Sequence, residues 1–453
     1  MATVLMVESW LRSTGLHLPP IIRQLGHDYV LLSRDPAAYG PLEDGTPHPV
    51  IRYADEVVVV DTNDTEAVID AASQLAGRRR ISGVLTTCDY YLATVAKVAN
   101  ALDLPGALPE VMQRATHKHL VRSALDAAGV PNPRFEVVDD WPQARTAASR
   151  IGTPLIAKPV DLNAGTAVEV IDDEAALKDA FWAVTGLEHN TREQPLRRLL
   201  LLEEMMTGQE LSVEAVTFNG RTTVLGITDK SMTAAPARVE SGHMFPARLA
   251  PDTVREVEAF VRWALRAIGY THGLSHTEVM LTGDGPRIVE INPRQGGGYI
   301  FDLVHLVTGT HPLEMLVELA LGRDPAAIEV SPRAAGAAGR PCSAAVFFLM
   351  SPRDGRVERV SGLDHLDQDP RVNRWTVHVP RDARRPRDND AYLGHVLATD
   401  PTGERAREHA ERAVASLRLH FADGTQATPL GLPVASHDDA GSVDHLAHVQ
   451  MAR

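Results

Sequence analysis

The sequence has few cysteines and no long apolar run. Only Cys88 and Cys342 occur among its 453 residues, and their spacing fits no metal site or disulfide framework, so both are assigned to packing. The longest apolar run, 344–350, is too short to cross a bilayer, and no secretory leader is predicted at the amino terminus. We therefore expect a cytoplasmic protein with no membrane partner.

Positive charge is also scarce. The chain has 59 Asp and Glu residues against 45 Lys and Arg, a formal net charge of -14 that opposes binding to nucleic acid. The densest basic run, Arg78 to Arg80, is predicted to be a solvated loop. We therefore expect small-molecule partners and no nucleic acid.

Two common catalytic or cofactor motifs are missing. No G-x-G-x-x-G follows the first predicted strand, where Glu8, Ser9 and Trp10 stand, so a dinucleotide cofactor is not indicated. No G-x-S-x-G and no Cys/His nucleophile signature occurs, which argues against a covalent enzyme intermediate.

Residues 1–107 alternate short apolar runs with amphipathic segments, which predicts a parallel α/β domain. Thr86, Thr87 and Asp89 lie at the carboxyl end of its last predicted strand, at the edge where such sheets bind ligands. An N-cap role for Asp89 is the simpler interpretation. The predicted strands are 4–7, 29–32, 57–60 and 83–86, and the predicted helices are 65–75 and 89–102.

Two lysines stand out in the second predicted domain, residues 108–205. Lys118 lies in a helix predicted over 117–128, opposite the apolar stripe, and Lys158 ends a strand predicted over 154–159. A lysine facing the amides of a small-residue loop, here 161–166, is typical of phosphate binding. The residues that this arrangement predicts to bind phosphate are Lys158, Asn163, Gly165 and Thr166.

An apolar strand breaks between residues 204 and 211 and then resumes. An interrupted strand exposes backbone N–H and C=O groups, which the edge of an adenine needs. Glu210 is left free for ribose hydroxyls. This pattern predicts a nucleotide site at the break.

The stretch 272–298 is predicted to be a β-hairpin, with its turn at Gly283-Asp284-Gly285. Side chains two apart share a face of a strand, so Glu290 and Asn292 point the same way, and the hairpin can bring Glu278 beside them. Together with the oxygens of a phosphate, these side-chain oxygens suit Mg²⁺, and Mn²⁺ could take its place. The alternative is a surface hairpin with solvated acids.

Arg294 follows this hairpin, at a distance suited to binding an oxyanion. The glycines after it let the backbone approach a ligand closely, and they predict an acyl-side pocket that admits side chains larger than a methyl group. The glycines of this run are Gly296, Gly297 and Gly298.

The third predicted domain, residues 206–425, adds helices over 312–321 and 403–419 and an α+β cap. An Ala/Gly/Pro linker is predicted over 331–340. Residues 426–453 are rich in Gly, Pro, His and Asp and are predicted to form a flexible tail.

Five elements in this order resemble the ATP-grasp family over roughly the first 420 residues. They are the helix lysine Lys118, the A-K-P strand with Lys158, the E-E-x-x-x-G-x-E hinge, the strands after it, and E-x11-E-x-N-P-R. The resemblance implies an α/β ATP-grasp fold with an N-terminal parallel α/β domain, a central nucleotide-binding lobe and a C-terminal α+β lobe. The phosphate loop of this chain has fewer glycines than the corresponding loop of many family members.

The resemblance also implies a role for each site residue. ATP phosphates would be held by Lys118 and Lys158, Mg²⁺ by Glu278, Glu290 and Asn292, and the acyl-phosphate by Arg294. The residues implied for adenine and ribose are Glu203, Glu204, Met205, Met206 and Glu210.

Within the family, K-P-V-D-L-N-A-G-T, E-S-G-H-M-F-P and the glycine run resemble L-amino-acid ligases. Glu240 and His243 would then lie near the acyl substrate, although a buried, hydrogen-bonded His243 is equally compatible with the sequence. The implied reaction is ATP-dependent amide formation between a small-molecule carboxylate and an amine, and we expect a homodimer. The alternatives are another ATP-grasp reaction, of purine-pathway or biotin-carboxylase type, and a non-catalytic ATP-binding protein.

Overall fold

The computed structural model describes residues 1–42, 44–233, 239–325, 339–387 and 391–430. Most of the predicted tail, 431–453, and most of the predicted linker at 331–340 lie outside the described residues. Within the described ranges, no helix has both the length and the apolar character needed to span a membrane.

The N-terminal domain is a four-stranded parallel sheet with helices on both sides, as predicted. Its strands are β1 Thr3–Val7, β2 Asp28–Ser33, β3 Glu56–Val59 and β4 Ile81–Leu85, and its helices are α1 Thr14–Gln24, α2 Pro49–Arg52, α3 Thr65–Arg78 and α4 Leu92–Ala101. The strand order is β3-β2-β1-β4. Leu5 pairs with Val30 and Val84, so the central strand is buried on both faces.

Two carboxylates at the carboxyl edge of this sheet have different partners. Asp64 caps α3 by accepting hydrogen bonds from two backbone N–H groups. Asp89 caps no helix: it lies within a 3-10 turn, Asp89–Tyr91, and its carboxylate pairs with Arg294. The N-cap interpretation of Asp89 is therefore wrong, because its carboxylate pairs with Arg294, which lies in the loop after residue 292.

A smaller lobe follows, built on an antiparallel sheet. The next elements are α5 Pro109–Ala115, α6 Lys118–Ala127, β5 Phe135–Val138, α7 Trp141–Ile151, β6 Leu155–Pro159, β7 Glu169–Ile171, α8 Glu174–Gly186 and β8 Leu200–Glu204. The four strands have the order β5-β8-β6-β7. Leu155 and Ala157 pack with Phe181 of α8. Because successive side chains of a strand point to opposite faces of the sheet, Lys158 lies on the other face.

The largest sheet has eight strands and carries most of the predicted site. The remaining elements are β9 Gln209–Phe218, β10 Arg221–Met232, β11 Glu240–Phe245, α9 Pro251–Ala267, β12 Gly273–Thr282, β13 Gly285–Asn292, α10 Ile300–Thr308, α11 Pro312–Ala320, β14 Ser343–Met350, β15 Gly355–Ser361, α12 Leu363–Gln368, β16 Val372–Val377, β17 Arg381–Ala383, β18 Tyr392–Asp400, α13 Ala406–Ala415, β19 Arg418–Phe421 and β20 Gln426–Ala427. The order is β13-β12-β9-β10-β11-β14-β18-β16.

The remaining four strands form a small sheet of order β17-β15-β19-β20. The predicted helix over 403–419 is shorter than expected, because residues 418–421 pair with β15 as a strand. The linker helices α5 and α6 share a core with α9, through Val111, Leu125 and Phe260. They therefore pack on the large sheet rather than on the small lobe that follows them in sequence.

Candidate active site

A cavity opens where the N-terminal domain, the small lobe and the large sheet meet. It is bounded by the carboxyl edge of the first sheet, the start of α6, the end of β6 and the end of β13. Among the residues that line it are Asp89, Lys118, Lys158, Asn163, Glu290 and Asn292. The structure thus brings both predicted phosphate lysines to the predicted metal hairpin.

Lys118 lies between the phosphate loop and the hairpin. Its Nζ is 3.1 Å from Oε1 of Glu290 and also donates to the backbone carbonyl of Leu162. Only 11% of the Lys118 side chain is exposed, so this charge acts in a weakly screened environment. Lys118 and Glu290 therefore form a direct ion pair at the wall of the cavity.

Lys158 is held by Glu203, at 2.8 Å from its Oε2. Glu203 also accepts two hydrogen bonds from Arg122, at 2.6 Å from Nε and 3.1 Å from Nη2. Burial raises the pKa of Glu203, but Arg122 and Lys158 outweigh it and bring the pKa to about 2. Both carboxylate oxygens are engaged, so the side chain positions Lys158 and is not free to bind adenine.

Arg122 was missed by the sequence reasoning. It also donates to the carbonyls of Ile288 and Val289, at 2.8 and 2.7 Å, and so joins α6 to β8 and β13. The available signal was its position four residues after Lys118 on the same helix, which places both side chains on one face.

The predicted adenine segment joins β8 to β9. Met205 and Met206 lie outside both strands and are half-buried, while Glu204 pairs with the exposed Arg134 at 3.4 Å. In the phosphate loop, Asn163 lines the cavity, whereas Gly165 and Thr166 are exposed.

The hairpin has the predicted register. Glu278 is opposite Glu290, and His276 is opposite Asn292. The acids are not solvated as the surface-hairpin alternative requires, because only 17% of the Glu278 side chain and 23% of the Glu290 side chain are exposed. Two acids and a nearby amide therefore converge at one end of the hairpin.

The donor set is compatible with a metal that is also bound by a ligand. Within the described ranges, no three Asp, Glu, His or Cys residues form a metal-binding group. Glu278, Glu290 and Asn292 offer two carboxylates and one amide, and Mg²⁺ usually uses one or two carboxylates plus substrate phosphates and water. These residues fit Mg²⁺ only in combination with phosphate.

Lys230 of β10 is a second residue that the sequence reasoning missed. Its Nζ lies 2.8 Å from Glu210, 2.9 Å from Glu240 and 3.1 Å from Glu278. Burial lowers the pKa of Lys230, but the three carboxylates raise it well above its usual value. One ammonium therefore links the residues predicted to bind ribose, substrate and metal.

His276 extends this network to Glu214, with Nδ1 2.6 Å from Oε1 and Nε2 3.4 Å from Glu278. Burial lowers the pKa of His276, yet the two carboxylates raise it to about 9. The imidazole is therefore charged at neutral pH, and it holds Glu278 in its ionised form.

His243 behaves differently. Its Nε2 is 3.6 Å from Glu240, and burial lowers its pKa to about 4, so the ring is neutral at pH 7. Its buried Nδ1 has no hydrogen-bond partner among the described residues. The hydrogen-bonded alternative for His243 is thus satisfied at most on one nitrogen.

The glycine run is more closely packed than predicted. A Cβ on Gly296 would lie 2.9 Å from Glu214, and one on Gly298 would lie 2.5 Å from Nε2 of His243. Gly297 is the least enclosed, with Nη1 of Arg294 nearest at 3.9 Å. The run therefore does not leave open space for a large substrate group at Gly298; it lets the backbone pack against His243.

Arg294 reaches back to the N-terminal domain. Its Nε donates to Oδ2 of Asp89 at 2.6 Å, and its Nη1 donates to the carbonyl of Gln295 at 2.8 Å. Burial lowers its pKa, and Asp89 raises it above the usual value. The guanidinium is thus fixed at the junction of two domains.

Comparison with known proteins agrees with this architecture. Three family models match in succession: an ATP-grasp N-terminal domain over 23–106, an ATP-grasp domain over 151–302, and an L-amino acid ligase C-terminal domain 2 over 347–422. The crystal structure of an L-amino acid ligase from Bacillus licheniformis superposes with a TM-score of 0.75 at 22% identity, over 93% of this chain and 99% of that one. Its likeness shows a shared fold.

Two relatives by sequence differ in how much of their length is covered. An uncharacterised protein of Sinorhizobium fredii is 27% identical over 93% of this chain and 85% of its own length. Carnosine synthase 1 of Homo sapiens is 29% identical over 57% of this chain, which spans only 32% of that protein. The chain therefore contains an ATP-grasp domain over residues 151–302, and the regions before and after it match an ATP-grasp N-terminal domain and an L-amino acid ligase C-terminal domain.

Proposed function

We propose that the protein is an ATP-dependent ligase that joins the carboxylate of one amino-acid-like substrate to the amine of another. The observation that carries this proposal is the convergence of Lys118 and Lys158 with Glu290 and Asn292 in one cavity. Lysines suit the phosphates of ATP, and the acids suit the metal that accompanies them. The matched L-amino acid ligase domain supports amino-acid-like substrates.

In the first step, an oxygen of the substrate carboxylate attacks the γ-phosphorus of ATP and the bond to the β-phosphate oxygen breaks, releasing ADP. Lys118 and Lys158 bind the phosphates and offset their charge during transfer. Glu278, Glu290 and Asn292 would hold Mg²⁺, which when bound neutralises phosphate charge.

In the second step, the amine attacks the acyl-phosphate carbonyl, loses a proton and expels inorganic phosphate as the amide bond forms. Arg294 offers N–H groups and a positive charge to the oxyanion that develops on the carbonyl oxygen. No covalent bond to the protein is needed, which is consistent with the missing nucleophile motifs.

The remaining residues are given binding roles. The backbone at Met205 and Met206, with Glu204 beside it, contacts adenine, and Glu210, oriented by Lys230, contacts ribose. Asn163, Gly165 and Thr166 close over phosphate. We revise the role implied for Glu203, which positions Lys158 instead of contacting adenine.

Glu240 and His243 face the acyl substrate in this proposal. The unpartnered Nδ1 of His243 supports a ligand there, since a buried polar atom without a partner costs about 1–3 kcal/mol. The backbone of Gly296, Gly297 and Gly298 completes this wall. Arg294, on the same loop, faces the reacting carbonyl.

A screen of amino-acid pairs tests the function. Purified protein is incubated with MgATP and pairs of amino acids, and ADP, phosphate and amide products are measured. ADP release that requires both amino acids and matches amide formation supports the ligase. ADP release that requires bicarbonate would instead favour a biotin-carboxylase-type reaction, and ATP binding without turnover would favour a non-catalytic binder.

Sedimentation equilibrium tests the predicted homodimer, and cell fractionation tests the predicted cytoplasmic location.

A further inference from the structure

Asp89 lies between the candidate catalytic arginine and a tryptophan of its own domain. Its Oδ2 accepts from Nε of Arg294 at 2.6 Å, and its Oδ1 accepts from Nε1 of Trp10 at 3.2 Å. Only 9% of the Asp89 side chain and 19% of the Arg294 side chain are exposed. Because solvent is largely excluded, this ion pair is stronger and better defined than a surface pair.

Few other contacts orient Arg294. Among the described residues, its remaining side-chain hydrogen bond runs from Nη1 to the carbonyl of Gln295. A guanidinium has five N–H donors in a fixed plane, so fixing Nε and one Nη1 proton sets the direction of the rest. The donors on Nη2 are left without a partner in the described part of the chain.

We propose that Asp89 is a positioning residue for acyl transfer: it fixes the plane of Arg294 so that the unpaired guanidinium N–H groups are presented to the developing oxyanion. This inference rests on the proposed ligase function. The N-terminal domain, which contributes no predicted catalytic group, thereby controls the orientation of a group in the loop that follows the edge strand of the large sheet.

The small lobe contacts residues next to Asp89. The guanidinium of Arg192 lies over the ring of Trp10, 5.4 Å from its centroid, and donates to the carbonyl of Ser9 at 2.7 Å. Gln194, which lines the cavity, donates to the carbonyl of Tyr90 at 3.2 Å. Contacts from the small lobe thus hold both neighbours of Asp89, so docking of that lobe also stabilises the Asp89–Arg294 pair.

Substitution of Asp89 separates positioning from binding. In Asp89→Asn the side chain keeps its size and loses its charge, and we expect kcat for amide formation to fall about ten- to hundredfold, the loss typical of misplacing a catalytic group by about 1 Å. KM for ATP should stay unchanged, because Lys118 and Lys158 are untouched. Asp89→Glu should recover part of the loss, and Asp70→Asn, an exposed change on α3 of the same domain, is the control.

A double-mutant cycle with Arg294→Ala shows whether Asp89 acts through the arginine, using single-turnover ADP and amide formation to measure small rates. Asp89→Asn should cost nothing further once Arg294 is absent. If the rate loss of the double variant equals the product of the two single losses, Asp89 does not act through Arg294 and the proposal is overturned. A rise in KM for ATP at unchanged kcat in Asp89→Asn would overturn it as well. Trp10→Phe, which removes the indole donor to Asp89 and keeps an aromatic ring beneath Arg192, provides a milder variant with the same expected signature if Asp89→Asn folds poorly.

The two proposals fail in distinguishable ways. If the unaltered protein forms no amide with any amino-acid pair, the ligase function is wrong and the positioning role falls with it. If the unaltered protein forms amide and Asp89→Asn matches it in kcat and KM, only the positioning role is wrong.

Discussion

The ammonium of Lys230, which is buried on the eight-stranded sheet, lies 3.1 Å from Oε1 of Glu278. The two groups form a direct ion pair. Burial raises the pKa of Glu278, but Lys230 and His276 hold it well below the usual range. This pairing keeps a predicted metal ligand ionised next to two further acids, Glu210 and Glu240. The stability of the fold and the charge of the site therefore depend on the same lysine.

Replacing Lys230 by methionine should destabilise the protein by about 3–5 kcal/mol, the usual cost of removing one partner from a buried ion pair. Methionine fills much of the space but removes the ammonium that three clustered carboxylates share. Chemical denaturation at pH 7 measures the loss. The exposed Lys178→Met is the control and should change the free energy of unfolding by less than about 0.5 kcal/mol. Equal stability of the two variants would contradict the role of Lys230.

His276 should make stability depend on pH. Its pKa is raised from 6.5 to about 9 in the folded protein, so the folded state binds the proton more tightly than the unfolded state. The stabilisation is fully present below pH 6.5, is lost as pH rises through about 9, and amounts to roughly 3 kcal/mol. The free energy of unfolding is measured between pH 6 and 10 for the unaltered protein and for His276→Gln. The difference between the two at each pH is the stabilisation contributed by His276. A difference that stays constant across this range would contradict the charged pairing with Glu214.

How far the sequence predicts this fold depends on the range of the interactions. The hairpin, with Glu278 opposite Glu290, follows from alternation and turn residues within one short stretch, and it is confirmed. The contact of Arg122 with Glu203 spans 81 positions, and that of Arg294 with Asp89 spans 205. Such pairs depend on how sheets pack together, so no local pattern indicates them.

The same limit explains the residues whose roles changed. Glu203 ends an apolar strand at a hinge, and its sequence position alone cannot show which face of that strand is covered by Lys158 and Arg122. Lys230 lies on a strand with no neighbouring motif, and it gains importance only because β9, β11 and β12 bring three acids to it.

Glu290→Gln should lower kcat by about 10²–10³ while the fold stays intact, because it removes negative charge from the metal ligands and changes little volume. ADP release at saturating Mg²⁺ measures kcat, and circular dichroism checks the fold. Glu256→Gln, an exposed change on α9, is the matched control. A kcat equal to that of the unaltered protein at saturating Mg²⁺ would remove Glu290 from the metal site.

Lys158→Ala should weaken ATP binding, since loop amides cannot replace a full positive charge facing phosphates. The change leaves Glu203 paired with Arg122 through two hydrogen bonds, so we expect the fold to survive. Isothermal titration calorimetry with a non-hydrolysable ATP analogue measures affinity, and Lys178→Met again serves as control. Unchanged affinity would place the phosphate site elsewhere.

Gly298→Ala should reduce activity on all acyl substrates, whatever their size. The backbone at Gly298 has φ +54, and a Cβ there would lie 2.5 Å from Nε2 of His243 and 3.4 Å from Phe348, so the imidazole must move. The glycine run by itself suggested a pocket for large side chains, which would make a bulky replacement selective against large substrates. Contact with His243 changes that expectation, because the ring is displaced before any substrate is reached.

Steady-state kinetics on a small and a large acyl substrate decide between the two expectations for Gly298→Ala. Losses of similar size on both substrates support displacement of His243, and Gly297→Ala should lose less, because its Cβ would meet nothing nearer than Arg294 at 3.9 Å. Gly283→Ala, at the hairpin turn with open space around it, is the control. A loss confined to the large substrate would restore the pocket interpretation. Full activity on both would remove His243 from the acyl site, since its imidazole cannot keep its position beside a new methyl group.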